Sequence, residues 1–312
     1  MRHCAKARRP VPARKRALAL DCALADSGLM TKTLLSLGHG YSAQALEQHL
    51  LPRGWTIIGT TRSEARAHEL AARGVEPLIW PGTPLPLGRA THLLTSVAPR
   101  GGDPVLAAHR TEIAAATHLQ WVGYLSTVGV YGDHQGGWVD ETTPCTASST
   151  RAQERIEAEA AWRALCDHAG LRLHIFRLAG IYGPGRGPFE KLREGRAQMV
   201  IKSGQYFSRI HQADIGQALD LAIKSDLGSR VWNLCDDAPA PPQDVLRHAA
   251  HLLRMDPPPD VPFEQADLSP MARSFYADSK RVRNERIKSD LGLQLAYPDY
   301  QSGLAGILAT EG

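Results

Sequence analysis

The sequence predicts an α/β protein, a doubly wound parallel sheet with a smaller C-terminal lobe. Three observations predict it. Short apolar runs alternate with helix-like segments through the first half of the chain, and strands joined by helical crossovers lie parallel. A glycine-rich turn, Gly38-His39-Gly40-Tyr41-Ser42-Ala43, links the first such strand to the first helix. Beyond Leu178 the alternation loosens into glycine- and proline-rich loops with short helices.

Composition narrows the class. The chain has 312 residues, 43% hydrophobic and 22% charged, as in an ordinary soluble globular protein. No apolar run approaches the roughly 18 residues of a membrane span. The five cysteines, Cys4, Cys22, Cys145, Cys166 and Cys235, are scattered and without C-x-x-C spacing, so neither a disulfide frame nor a zinc site is indicated and a cytoplasmic location is expected. The net charge of +4 comes from residues 1–29, which hold seven basic and two acidic residues; the remainder has 29 basic against 30 acidic. No metal, membrane or nucleic-acid partner is therefore expected.

Residues 1–29 carry no strand signal. A targeting peptide, a basic arm and a misplaced start compete, with a poorly ordered tail expected in each case. The misplaced start is favoured, because Met30-Thr31-Lys32 leads straight into the first strand. That strand is Leu34–Leu37. Gly38 permits the tight turn after it, and Gly40 has no Cβ to hold a pyrophosphate away from the backbone. Tyr41 and Ser42 open the helix, and Ala43 lets it pack close to the strand, an arrangement that suits a dinucleotide. A helix over 43–51 is expected, broken by Pro52-Arg53-Gly54, and then a second strand, Trp55–Gly59. Where an acidic residue would bind the ribose of NAD, the chain has Thr61, Arg62 and Ser63. A forked guanidinium beside two hydroxyls suits a 2′-phosphate, so NADP is expected over NAD; the plainer alternative is a solvated loop cation.

A helix over 64–73, a third strand over 75–80 and a fourth over 91–97 follow. The fourth ends at Thr95, Ser96 and Ala98, whose place at a carboxyl end of the sheet makes them expected cofactor neighbours. A helix over 104–118 and a fifth strand, Trp121–Ser126, continue the alternation, and a sixth strand spans Leu173–Leu178.

From Tyr124 the run YLSTVGVYGDHQGGWVDETTP, with FRLAGIYGPGRG (176–187), RIHQADIGQAL (209–219) and VWNLCDD (231–237), resembles the extended short-chain dehydrogenase/reductases, the NAD-dependent epimerase/dehydratase group. The resemblance runs from Met30 nearly to the C-terminus. It implies a Rossmann-type cofactor domain over 30–182 and a substrate lobe built mainly from 183–312, with segments near 209–219 and 231–234 returning to the sheet. It also implies a Ser or Thr that polarises a substrate oxygen, the position of Thr127, with Tyr131 close behind. The family's Tyr-x-x-x-Lys falls on Arg151 and Arg155 in the helix SSTRAQERIEAEAAW (148–162). This departure resembles the superfamily's atypical members. A guanidinium stays protonated and cannot cycle a proton, although Arg155 can hold a ribose and Arg151 an anionic substrate group. The plainer reading sets both arginines on a solvated helix face with Glu154, Glu157 and Glu159.

A replacement acid must then come from elsewhere. Tyr131 and Tyr182 are candidates, and each also reads as a packing residue. His211 is a third, though a structural hydrogen bond to Asp214 or to backbone is favoured there. The basic run Ser279–Asn284 binds an acidic substrate or is simply solvated. Two functions follow: an NADP-dependent oxidoreductase or epimerase-like enzyme on a small polar, sugar-derived or anionic substrate, or an NADP-binding redox-responsive module with little catalysis. The resemblance also implies a homodimer.

Overall fold

A computed structural model describes residues 32–311; the basic segment 1–29 lies outside them. The first half of the chain runs β1 (Thr33–Leu37), α1 (Tyr41–Gln44), α2 (Glu47–Leu50), β2 (Thr56–Thr61), α3 (Glu64–Ala72), β3 (Glu76–Ile79), β4 (His92–Thr95), α4 (Pro104–Ala115) and β5 (Trp121–Thr127). Next come β6 (Trp138–Val139), α5 (Thr150–Ala169), β7 (Leu173–Leu178), β8 (Gly180–Tyr182), α6 (Phe189–Arg193), β9 (Met199–Ile201), β10 (Arg209–His211), α7 (Gln212–Lys224) and β11 (Arg230–Leu234). The chain ends with α8 (Pro242–Leu252), β12 (Asp260–Pro262), α9 (Pro270–Phe275), β13 (Arg281–Val282), α10 (Glu285–Leu291) and α11 (Tyr300–Glu311).

Seven strands form one sheet in the order β11-β7-β5-β4-β1-β2-β3, every pair parallel. The strand order reverses between β1 and β4, which opens a crevice at their carboxyl ends. This is the Rossmann-type doubly wound fold. Both faces are covered, so alternate residues of each strand enter different cores. Leu34, Leu94, Trp121 and Phe176 pack on one side, and Leu35, Leu93, Val122 and Ile175 on the other. A third cluster joins α6, α8 and α11 through Phe189, Leu192, Ala249, Leu304 and Ile307. Three two-stranded parallel pairs, β8–β10, β9–β12 and β6–β13, tie the later segments together.

The helix expected over 43–51 is instead two short pieces, α1 and α2. The backbone turns at Ala45 and Leu46, where Leu46 N–H donates to the Ala43 carbonyl at 3.1 Å. Crowding explains the break: α7 presses on this turn, and a Cβ on Gly216 would lie 2.4 Å from the Ala45 carbonyl oxygen. In contrast, α5 continues to Ala169 and ends on left-handed Gly170, a C-cap that glycine favours.

Candidate active site

Parallel pairing brings the carboxyl ends of β1, β2, β4 and β5 to one edge. Gly38 sits there at φ +71°, and a Cβ on it would meet Val97 Cγ2 at 3.1 Å and Ser96 Oγ at 3.2 Å. Its N–H donates to Thr60 Oγ1 at 2.7 Å, and the Ser96 hydroxyl donates to its carbonyl. Gly40 differs. A Cβ there would find nothing nearer than 3.7 Å, so the protein's own packing does not require a glycine. Ala43 is fully buried beneath the turn. Thr95, opposite Leu37 in the β1–β4 register, keeps a buried hydroxyl with no described partner. An open glycine in the turn and an orphaned hydroxyl at the end of the neighbouring strand fit a bound dinucleotide.

The turn is anchored from below by His39. Its ring is fully buried. Nδ1 lies 2.8 Å from Ser36 Oγ, and Nε2 lies 2.6 Å from Glu47 Oε1, which also accepts from Arg73 at 2.6 Å. Gly59 on β2 leaves room for this ring, since a Cβ there would sit 3.0 Å from His39 Cβ. On the other side, the Tyr41 hydroxyl donates to the Pro184 carbonyl at 3.0 Å, and Gln212 Nε2 donates to the Tyr41 carbonyl at 2.5 Å. Ser42 is half-buried beside it and Ala98 is exposed at the crevice.

At the end of β2, Thr61 is half-buried while Arg62 and Ser63 are exposed. Arg62 makes no hydrogen bond or ion pair among the described residues. Ser63 is the N-cap of α3, its hydroxyl accepting from Arg66 N–H at 3.4 Å. An unengaged guanidinium thus stands at a helix N-terminus, where the helix dipole favours negative charge.

The four expected catalytic residues part company. Thr127 ends β5 half-buried, and its hydroxyl accepts from Gly129 N–H at 3.1 Å, leaving its own proton free to donate. Tyr131, expected close behind Thr127, is a core residue with no exposure. Its hydroxyl donates to Asn233 Oδ1 at 2.7 Å and accepts from Arg177 at 3.0 Å, and burial raises its pKa to about 12. Arg155, expected to hold a ribose, donates through one terminal nitrogen to Tyr124 Oη at 3.1 Å and the Leu125 carbonyl at 2.9 Å. Arg151 is exposed and stacks on Phe275, 5.0 Å from the ring centre.

The other two acid candidates each make one side-chain hydrogen bond, and His211 Nε2 is buried without a partner among the described residues. The Tyr182 hydroxyl donates to the Asp299 carbonyl at 3.3 Å, and burial, with Asp236 and Asp214 nearby, pushes its pKa up. His211 caps α7, its Nδ1 accepting from Ala213 N–H at 3.2 Å. Burial holds that ring at about 4, so it is neutral.

Comparison with known proteins places this geometry. A family described as the NAD dependent epimerase/dehydratase family matches residues 105–234. A solved structure from Silicibacter pomeroyi DSS, described as a functionally unknown conserved protein, is 54% identical, covers 90% of this chain and 99% of that one, and superimposes with a TM-score of 0.86. Residues 105–234 thus match the NAD-dependent epimerase/dehydratase family, and the described chain shares the Rossmann-type fold of its solved relatives. Protein YeeZ of Escherichia coli K12 is 27% identical, over 86% of this chain and 97% of its own length. Human epimerase family protein SDR39U1, solved with NADPH, is 17% identical over 89% of this chain and 99% of its own, with a TM-score of 0.66; the likeness is one of fold.

Sequence reasoning missed a network beneath Thr127. Glu159 is 3% exposed, not a member of a solvated face. It accepts from Ser126 Oγ at 2.5 Å and from Arg177 NH2 at 2.8 Å. Arg177 bridges onward to Tyr131, so the network braces the end of β5 that carries Thr127.

Proposed function

We propose that the protein is an NADP-preferring oxidoreductase or epimerase-like enzyme acting on a small polar substrate, sugar-derived or anionic. Gly40 carries the reading: it is a glycine that the fold leaves sterically free, at the one turn where a pyrophosphate needs close backbone approach. Gly38 to Ala43 would hold the pyrophosphate, and Thr95, Ser96 and Ala98 the ribose and nicotinamide side. Thr61, Arg62 and Ser63 would take the 2′-phosphate. The family's description, which names NAD, and the human fold neighbour solved with NADPH support a nicotinamide cofactor; the unpaired Arg62 favours the phosphorylated form. Once bound, the nicotinamide supplies or accepts a hydride. Thr127 donates its hydroxyl proton to the reacting substrate oxygen and polarises it. Ser126, Glu159 and Arg177 hold the strand end that aims this hydroxyl.

A second reading, an NADP-binding module with little catalysis, is favoured by the phenols: both Tyr131 and Tyr182 already donate within the protein. Titration of the full chain with NADPH and NADH, followed by nicotinamide fluorescence, tests both. Preference for NADPH that disappears in Arg62→Ala is expected. Turnover on carbonyl substrates, abolished in Thr127→Ala with binding retained, would select the enzyme. Failure of both nucleotides to bind at millimolar concentration would sink both readings.

A further inference from the structure

The smaller lobe contains a cavity of about 440 Å³, large enough for a small organic ligand. Its wall includes Val245, Leu246 and Leu304 from α8 and α11, and its polar lining includes Arg209, Lys191 and Arg196 against Asp267. Arg196 is engaged with Glu194. Arg209 is not neutralised in this way. One of its terminal nitrogens donates to the Phe207 and Ala240 carbonyls at 2.9 and 3.2 Å. Its other two nitrogens have no protein partner among the described residues, and its guanidinium forms no ion pair there. Burial pulls its pKa below the ordinary arginine value despite Asp236 nearby. A desolvated cation without a direct ion pair is costly unless an anion joins it.

Two chain segments link the cavity to the candidate active site, whose glycine turn and Thr127 do not themselves line it. Tyr182 lines it and follows soon after Leu178, which pairs with Thr127 in the β5–β7 register. Gly187 also lines it, in the same loop as Pro184, whose carbonyl accepts from Tyr41 of the glycine turn. Arg151, the expected anion ligand, is stacked on Phe275 instead.

We propose that this cavity receives the substrate of the reaction argued above and selects a small amphiphilic organic anion. A carboxylate or phosphate ester is held by Arg209, with its apolar body along α8 and α11. The assignment of the cavity to substrate rests on the enzyme reading; the anion selectivity does not.

The test uses the full chain without nucleotide, titrated calorimetrically with hexanoate, hexyl phosphate, hexanamide and inorganic phosphate. One or both organic anions should bind at least about tenfold more tightly than hexanamide, the margin of a hydrogen bond to a charged group. The tighter of the two names the headgroup. Arg209→Gln should remove that margin and Arg209→Lys should keep part of it. Leu246→Trp, which fills the apolar wall without touching Arg209, should weaken both anions. Equal binding of hexanamide and the anions, or unaltered binding in Leu246→Trp, overturns the proposal. Inorganic phosphate binding as tightly as hexyl phosphate overturns the amphiphilic part. Anion binding that persists while neither NADPH nor NADH binds keeps the pocket and removes the enzyme reading.

Discussion

Asp236 and Tyr131 show how the protein sets the chemistry of single residues by what surrounds them. The Tyr131 hydroxyl is held between Asn233 and Arg177. Tyr131→Phe should therefore cost about 1–3 kcal/mol in urea unfolding, the penalty for unsatisfied buried partners, with NADPH affinity unchanged. Lost turnover at full stability would instead return Tyr131 to the chemistry. Glu159→Gln should cost more, about 3–5 kcal/mol, because it strands the buried Arg177 charge. Asp236 gives a pH signature. Burial raises it to about 7 even though Arg209 opposes the shift, whereas an unfolded aspartate titrates near 4. Folding therefore takes up a proton between those values. The contribution is fully present below about pH 4 and is lost as pH rises through about 7. Asp236→Asn removes this dependence, so the variant should gain stability relative to wild type between pH 5 and pH 8. Urea midpoints at the two pH values check it, and a constant difference would refute it.

Two glycines separate ligand demands from packing demands at the level of elements. Gly216 is needed by the contact between α7 and the α1–α2 turn, where a Cβ would approach Ala45 O to 2.4 Å. Gly216→Ala should lower stability by about 1–3 kcal/mol, the usual cost of overpacking. Gly40→Ala should leave stability within about 0.5 kcal/mol and yet weaken NADPH binding. Paired urea unfolding and nucleotide titration distinguish them; a Gly40→Ala protein that binds NADPH normally would remove the pyrophosphate assignment. The strands and the glycine turn were legible because their signals are local: alternating or continuous apolar runs, and a glycine where the chain must turn. The rest was hidden by distance along the chain. His39 occupies a variable position of the turn motif, and only Glu47 and Arg73 make it an anchor. Glu159 reads as one glutamate among three on its helix until Arg177, inside an apolar strand, meets it. Arg209 stands in a run marked only by its family likeness, and its lack of a direct ion pair shows only where it lines the cavity with residues of α6, α8 and α11.

At the scale of the whole molecule, the described residues from Lys32 onward form one compact unit by their contacts, so events at the sheet edge and in the smaller lobe should be thermodynamically linked. The link has named parts. Tyr41 of the glycine turn donates to Pro184 and accepts from Gln212 through its carbonyl, while Tyr182 reaches the Asp299 carbonyl just before α11. A ligand that binds only the folded chain stabilises it by about 2.7 kcal/mol at a hundred times its dissociation constant. If opening is global, that gain must appear in both regions. Hydrogen exchange with and without NADPH at this ratio should therefore slow the most protected amides of β1 and of α11 by a similar factor, about a hundredfold. Slowing confined to β1 would mean that the lobe opens by itself, and the cavity beside Arg209 would then fill and empty independently of the cofactor. Equal slowing would mean that cofactor binding also firms the walls of that cavity. In that case Arg62→Ala, which weakens NADPH at the far end of the sheet, should at a fixed NADPH concentration reduce protection in α11 as much as in β1.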